Sequence, residues 1–226
     1  MRVMMLAAGR GERMGDLTAD VPKPLLRAGR HTLIDHQLNR LAAGGFREIV
    51  VNLAYRGDQI VDHLGDGSRL GVTIRYSHED DRALGTGGGI KNALGLLGPQ
   101  PFLLTNADVY TDFPYGDLRR QRLAADDLAH LVLVPNPPQH PGGDFGLIGD
   151  RVVTDSRDRL TYSGIAVLRP ALCASVAETS FSFAPRLIAA IDDARVSGQC
   201  HHGEWRDIGT PDRLARLDAE LTDRDR

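Results

Sequence analysis

Residues 3–14, Val3-Met4-Met5-Leu6-Ala7-Ala8-Gly9-Arg10-Gly11-Glu12-Arg13-Met14, decide how the chain folds. A short apolar strand runs without a spacer into a turn of alanines and glycines. Small residues there let backbone N–H groups approach an anion closely, so this is where a phosphate or a base is expected to sit. The turn fits neither common phosphate fingerprint. No G-x-x-x-x-G-K-[ST] occurs, and Gly9-Arg10-Gly11 lacks the third glycine at dinucleotide spacing. Both a P-loop ATPase and a nicotinamide oxidoreductase are thereby disfavoured.

Outward from this strand, β-rich runs at 49–53, 72–76 and 102–105 alternate with helix-period segments at 33–43, 59–64 and 90–97. Such alternation implies crossover units and a largely parallel sheet. In 33–43 the apolar residues Leu33, Ile34, Leu38, Leu41 and Ala42 share one helical face. The run 49–53, broken only by Asn52, and the runs 102–104 and 131–134 are almost wholly apolar, as strands covered on both faces are. Prolines and glycines crowd 135–143, and short segments at 145–148 and 152–153 then suggest an antiparallel excursion. A long strand at 160–168, helices at 170–176 and 185–195, a strand near Trp205 and a helix opened by Thr210-Pro211 and running to Leu221 complete the chain, with 222–226 expected to fray. The expected architecture is α/β of Rossmann-like type: a mixed, mostly parallel sheet flanked by helices, in one domain over 1–226. No appended β-helix domain is expected.

Bulk properties narrow the function classes. At 226 residues with 42% hydrophobic and 25% charged residues, the chain has material for one continuous core and no signature of disorder. A net charge of -3 and a pI near 6.2 give no general reason to expect nucleic acid or an anionic membrane as partner. The first strand is too short to span a bilayer and lacks a signal-peptide layout, so a cytoplasmic protein is expected. Cys173 and Cys200 stand far apart, which argues against a disulfide scaffold or a thiolate zinc site and for packing roles. His201-His202 read as surface residues, and no Gly-x-Ser-x-Gly elbow occurs.

The chemistry-bearing residues follow the opening turn. Arg10 and Arg13 flank its glycines, Leu17-Thr18 comes next, and Pro22-Lys23-Pro24-Leu25-Leu26 holds one lysine between two stiffening prolines. Singly, these read as solvated charges of a loop. A second constellation, Leu84-Gly85-Thr86-Gly87-Gly88-Gly89, precedes the helix at 90–97 and suits close backbone approach to a planar base. Asp108 follows the apolar strand 102–104, which places a carboxylate at the sheet edge where ligands of open α/β folds bind.

Together these motifs closely resemble the sugar-phosphate nucleotidyltransferases, whose N-terminal pattern runs L-A-A-G-x-G-x-R-M, then L-T, then P-K-P-L. Every one of those residues is present, and the likeness extends over almost the whole chain. The resemblance implies that Leu6, Ala7, Ala8, Gly9, Gly11 and Arg13 wrap the nucleotide, with Arg13 on the departing phosphates. It implies that Glu79, Gly87 and Gly88 read the base, and that Lys23 contacts the α-phosphate or the phosphate of the incoming sugar. Trp205-Arg206-Asp207-Ile208-Gly209-Thr210 resembles the family's W-x-D-x-G-T element, so Asp108 and Asp207 are the implied Mg²⁺ ligands. Relatives read G-D where this chain has Ala107-Asp108. The implied catalytic set is Arg13, Lys23 and Asp108.

For the acceptor sugar, the resemblance points to Asn106, Asp144 in Gly142-Gly143-Asp144-Phe145, and Ser163 in Thr161-Tyr162-Ser163-Gly164-Ile165, alongside Lys23 and Asp207. Many relatives carry asparagine where Ser163 stands, and the E-K pair of the thymidylyltransferase branch is missing. The Gly-Asp-Phe and Ser-Gly-Ile pieces favour the branch that makes UDP-N-acetylmuramic acid and pyrophosphate from UTP and N-acetylmuramate α-1-phosphate in peptidoglycan recycling. Alternatives are mannose 1-phosphate with GTP, glucose 1-phosphate with UTP or dTTP, or a non-catalytic nucleotide-sugar sensor. The implied partners are a nucleoside triphosphate and a sugar 1-phosphate, with neither nucleic acid nor membrane, in a monomer or small homo-oligomer.

Overall fold

A computed structural model describes residues 1–79 and 84–224. Its strands are β1 (Val3–Leu6), β2 (Arg27–Ala28), β3 (His31–Thr32), β4 (Glu48–Leu53), β5 (Thr73–His78), β6 (Phe102–Asn106), β7 (Val109–Thr111), β8 (Ala129–Val134), β9 (Phe145–Ile148), β10 (Arg151–Val153), β11 (Arg159–Leu168), β12 (Val196–Cys200) and β13 (Trp205–Asp207). The helices are α1 (Leu33–Ala43), α2 (Gly57–Leu64), α3 (Gly85–Leu97), α4 (Tyr115–Arg120), α5 (Ala171–Ala174), α6 (Phe183–Asp192) and α7 (Pro211–Arg224).

The main sheet runs β5-β4-β1-β6-β11-β8-β12-β10-β9. Successive side chains of a strand point to opposite faces, and β1 shows the consequence. Val3 and Met5 bury among α1 and α2 residues such as Ile34, Leu38 and Ile60, whereas Met4 buries on the other face with Ile90, Ala93 and Leu187. A strand covered twice needs apolar residues at every position, which explains the unbroken runs in β1, β6 and β8. Each such side chain, fully buried, contributes about 1.5–3 kcal/mol. Helix α1 starts where Thr32 Oγ1 accepts the Asp35 amide at 3.2 Å, a side-chain N-cap.

The expected α/β class holds, with a mixed sheet flanked by helices. Parallel pairing is confined to β5-β4-β1-β6 and to β12 with β8; β11 runs antiparallel to both β6 and β8, and β9 and β10 are antiparallel throughout. The parallel share is therefore smaller than the alternation in sequence suggests, because past the segments joined by α1 to α3 it consists of the β12–β8 pair. The additional β11–β9 pairing closes β8, β12, β10, β9 and β11 into a ring. The predicted antiparallel excursion is the β9–β10 hairpin within that ring.

Several boundaries differ from expectation. The helix expected over 185–195 is α6, which spans Phe183–Asp192, and it is followed by the unexpected strand β12. Helix α3 begins at Gly85, so the glycine run is helix and not a loop before one. The segment expected as a helix over 170–176 is the single turn α5, stopped by Ser175. Helix α7 runs to Arg224, so 222–224 are helical where fraying is expected, and 225–226 lie outside the described residues.

Candidate active site

Two cavities open side by side at the C-terminal ends of β1 and β6. The first, about 720 Å³, is lined by Leu6 to Arg13, Lys23, Pro24, Asn52, Glu79, Gly85, Thr86, Asn106 to Asp108 and Gly209. The second, about 600 Å³, lies against Asp144, Tyr162, Ser163, Trp205, Asp207 and Arg213. Leu6, Arg13, Thr86 and Asn106 line both, so these four mark where the contents of one space meet those of the other.

Local chemistry shapes the opening turn. Gly11 adopts φ +67°, and a Cβ there would stand 3.0 Å from Lys23 Cβ, so only glycine permits the turn to lie over the lysine stem. The Ala7 amide donates to Asn52 Oδ1 at 2.8 Å, and Asn52 Nδ2 donates to Glu79 Oε1 at 2.6 Å. Asn52 was singled out in sequence only as a polar break in an apolar strand. In the fold it is buried beneath the first cavity and ties β1 to the end of β5, and a lone amide in a doubly covered strand is the signal that marks it.

Lys23 is 7% exposed, and its Nζ bonds Asp108 Oδ2. A buried ammonium needs a charge partner, and the carboxylate supplies it. Asp207 is brought beside Asp108 by the β7–β13 ladder, in which Asp207 faces Val109 and the Ile208 amide donates to Asp108 O at 3.1 Å. Its carboxylate is held in turn by Arg213 Nη1 at 2.7 Å. Each aspartate thus holds one cation. Among the described residues no group of three His, Cys, Asp or Glu side chains is arranged as a metal site. Two hard carboxylates beside a phosphate-sized space nevertheless suit Mg²⁺, which takes few protein ligands and completes its shell with water and substrate oxygens.

Asn106 is fixed from behind. Gln37 Nε2 donates to Asn106 O at 3.2 Å, Tyr115 Oη donates to Gln37 Oε1 at 3.0 Å, and Thr105 Oγ1 lies 3.0 Å from the same hydroxyl. Burial pushes the Tyr115 phenol up to about 12, so it stays a neutral donor. Gly164 approaches Asn106 from the front: at φ +79° its Cβ would stand 2.6 Å from Asn106 Nδ2.

Several expected site residues have partners within the chain. The Gly87 and Gly88 amides both donate to Phe181 O, at 3.1 and 3.3 Å, and added Cβ atoms would meet the Phe181 ring at 2.3 Å and Thr179 O at 2.4 Å. These glycines admit another stretch of the chain, and the cavity is lined by Gly85 and Thr86 in their place. Ser163 borders the second cavity, but its hydroxyl donates to Val132 O at 2.6 Å and accepts the Ile165 amide at 3.1 Å, where the β11–β8 register shifts. Asp144 accepts the Tyr162 amide at 2.7 Å and lies 3.0 Å from His140 Nε2. Of the two histidines expected at the surface, His202 is exposed, whereas the His201 side chain is 13% exposed, bonded to Asp112 Oδ1 at 2.8 Å and edge-on against Phe113. Cys173 is buried in the α3–α6 core as expected of a packing residue.

The chain matches the model of the family described as Nucleotidyl transferase over residues 2–159. It is 47% identical over 225 residues to the N-acetylmuramate alpha-1-phosphate uridylyltransferase of Neisseria meningitidis, covering 97% of each chain. It is 34% identical to the protein of the same name from Caulobacter vibrioides, over 97% of this chain and 96% of that one. Among solved structures, HddC from Yersinia pseudotuberculosis superposes with a TM-score of 0.80 at 21% identity over 97% of this chain and 99% of the other, a likeness of fold.

Proposed function

Because this chain belongs to the nucleotidyl transferase family, we propose that it joins UTP to N-acetylmuramate α-1-phosphate, releasing pyrophosphate and UDP-N-acetylmuramic acid. The observation that carries the reading is the pair of adjoining cavities that share Arg13 and Asn106, with Lys23, Asp108 and Asp207 at or beside the junction. Two bound substrates would there meet phosphate to phosphate. Identity of 47% to a uridylyltransferase of that specificity supports the choice of substrates.

In the proposed reaction an oxygen of the sugar phosphate attacks the α-phosphorus of UTP in line. A new P–O bond forms to the sugar phosphate, and the bond from the α-phosphorus to the bridging oxygen breaks, with its electron pair leaving on pyrophosphate. No enzyme nucleophile is needed, and catalysis comes from positioning and from charge stabilisation. The 9–13 turn and Arg13 hold the β- and γ-phosphates, a guanidinium being suited to bidentate phosphate contact. Lys23 exchanges Asp108 for a phosphate oxygen and stabilises charge on the α-phosphoryl group. Asn106, held by Gln37 and faced by Gly164, bonds substrate at the boundary, and Glu79 with Asn52 accepts the base. Asp108 and Asp207 would hold Mg²⁺, which when bound offsets negative charge on the triphosphate. The same reading makes the protein a cytoplasmic enzyme of cell-wall recycling.

Pyrophosphate release tests the reading. UTP, dTTP, GTP, CTP and ATP are each paired with N-acetylmuramate, N-acetylglucosamine, glucose and mannose 1-phosphates, with and without Mg²⁺. Turnover is expected with UTP and N-acetylmuramate 1-phosphate, dependent on Mg²⁺ and abolished in Asp108→Asn. Turnover with another pair would keep the reaction class and discard the substrates, and silence with every pair would discard both.

A further inference from the structure

Arg213 enters neither the opening motifs nor the set of residues that the resemblance singles out. It is the third residue of α7, a helix seated through Leu214 and Leu217 on a small core of Met14, Ala28, Leu33, Tyr110 and Ile208. Its backbone is therefore fixed relative to the opening turn. The side chain is three-quarters buried and bonds the carboxylate of Asp207 at 2.7 Å and its carbonyl at 3.2 Å. Both bonds are donated by Nη1. A guanidinium has five donors, and Nε and Nη2 have no hydrogen-bond partner among the described residues.

The distribution of charge around the two cavities gives this arrangement a purpose. Arg10, Arg13 and Lys23 line the first cavity, and Arg13 and Arg213 line the second. Arg13 is shared, so among the described residues Arg213 is the permanent cation that lines the second cavity alone. Asp207 is the anion that now occupies it. The same relationship holds across the junction, where Asp108 occupies Lys23. In both pairs an aspartate shields a cation until a stronger anion arrives, and a divalent ion on the aspartates would compete for the shielding carboxylate.

We propose that Arg213 is a substrate-binding residue that takes the phosphate of the incoming sugar 1-phosphate, released from Asp207 when that carboxylate engages a divalent cation. The proposal rests on the functional reading above and adds to it the group that anchors the acceptor. It assigns Lys23 to the nucleotide side of the junction and Arg213 to the sugar side. It also accounts for the missing E-K pair of the thymidylyltransferase branch, since Arg213 supplies an acceptor-side cation from another element.

Calorimetric titration of the full-length protein tests this without turnover. With Mg²⁺ and saturating α,β-methylene-UTP, wild type, Arg213→Met and Arg213→Lys are titrated with N-acetylmuramate, N-acetylglucosamine, glucose and mannose 1-phosphates, and with N-acetylmuramate lacking phosphate. The analogue is titrated separately into each protein. Arg213→Met is expected to weaken every sugar 1-phosphate that wild type binds by about ten-fold or more, as loss of a charge-assisted contact should. Arg213→Lys is expected to recover part of the loss, and affinity for the analogue and for the unphosphorylated sugar should change less than two-fold. Thermal unfolding of each variant checks the fold. Unchanged sugar phosphate binding would overturn the proposal, and so would an equal loss for the analogue, which would make Arg213 a strut for Asp207. Weakening confined to the muramate would assign Arg213 to the lactyl carboxylate and overturn the phosphate assignment. If wild type binds a sugar phosphate other than the muramate, the functional reading fails while the Arg213 proposal is decided on that ligand; binding of none overturns both.

Discussion

Asn52 stands between two elements of the nucleotide cavity: its Nδ2 donates to Glu79 Oε1 at 2.6 Å while its Oδ1 accepts the Ala7 amide at 2.8 Å. One buried amide therefore sets both the proposed base-reading carboxylate and the start of the phosphate turn. Asn52→Leu would leave the Ala7 amide unpaired and Glu79 with the longer bond from the Leu84 amide, at 3.3 Å. It is expected to cost about 1–3 kcal/mol of stability and to raise the KM for UTP about ten-fold, with a smaller effect on the KM for the sugar phosphate. Chemical denaturation and steady-state kinetics on the same preparation check both figures.

The Lys23–Asp108 pair gives a contrast between stability and activity. Asp108→Asn leaves a buried ammonium without its counter-charge and is expected to lower the thermal midpoint, whereas adding Lys23→Met to it should restore the midpoint. Activity should follow the opposite logic. Lys23→Met alone should lower kcat about 10²–10³-fold, and the double variant should be no better. A double variant that recovered turnover would assign the pair to folding alone.

Gly88 is a position outside the cavities where a methyl group would run into backbone. A Cβ there would lie 2.4 Å from Thr179 O and 2.9 Å from Leu84 Cβ, and the first contact is with backbone. Gly88→Ala gains about 1 kcal/mol of helix propensity but must displace the 179–182 segment. Net destabilisation is expected, with raised protease sensitivity near Phe181 as its specific mark. A stabilised Gly88→Ala protein would show that the segment yields freely.

Two histidines give the acid limb of stability its sign. Burial holds His130 below its ordinary value of 6.5, against the opposing pull of its hydrogen bond with Gln199, and burial does the same to His36. The folded state keeps both neutral, while the unfolded chain takes up protons near 6.5. Their contribution is complete above pH 6.5 and is lost as pH falls from there through the lower folded values. The thermal midpoint should hold between pH 8 and 7 and decline below 6.5. His130→Gln should make the decline shallower, with His36 accounting for part of what remains.

What could be read in advance depended on whether a residue's role is set by its sequence neighbours. The run from Val3 to Met14 carries its own meaning, because strand, turn and charges are contiguous, and the doubly covered strands announce themselves by unbroken apolarity. Asn52 was visible as an exception to that pattern, although its partners were not. Gly87 and Gly88 were legible as positions of close approach, but the approaching group is Phe181, far along the chain, and no local pattern distinguishes it from a nucleotide base. Ser163 lines the second cavity as the resemblance implies, but the engagement of its hydroxyl with backbone is not legible, because it occurs at an irregularity in the β11–β8 pairing and register shifts leave little trace in sequence. Arg213 gave no local signal, since its partner became apparent only with Asp207 in place.

Among the described residues, the ring formed by β8, β12, β10, β9 and β11 leaves the main sheet with one open margin, at β5. Unpaired strand margins recruit foreign strands and seed aggregates, so a sheet with a single open side has half the exposure of an ordinary one. That side carries exposed Thr73, Arg75 and His78, and the Arg75 guanidinium lies 3.9 Å from Glu48 Oε1 on β4, a charged pair at the margin. A charged side chain on a margin disfavours the addition of a foreign strand, and Arg75 sits in that role here.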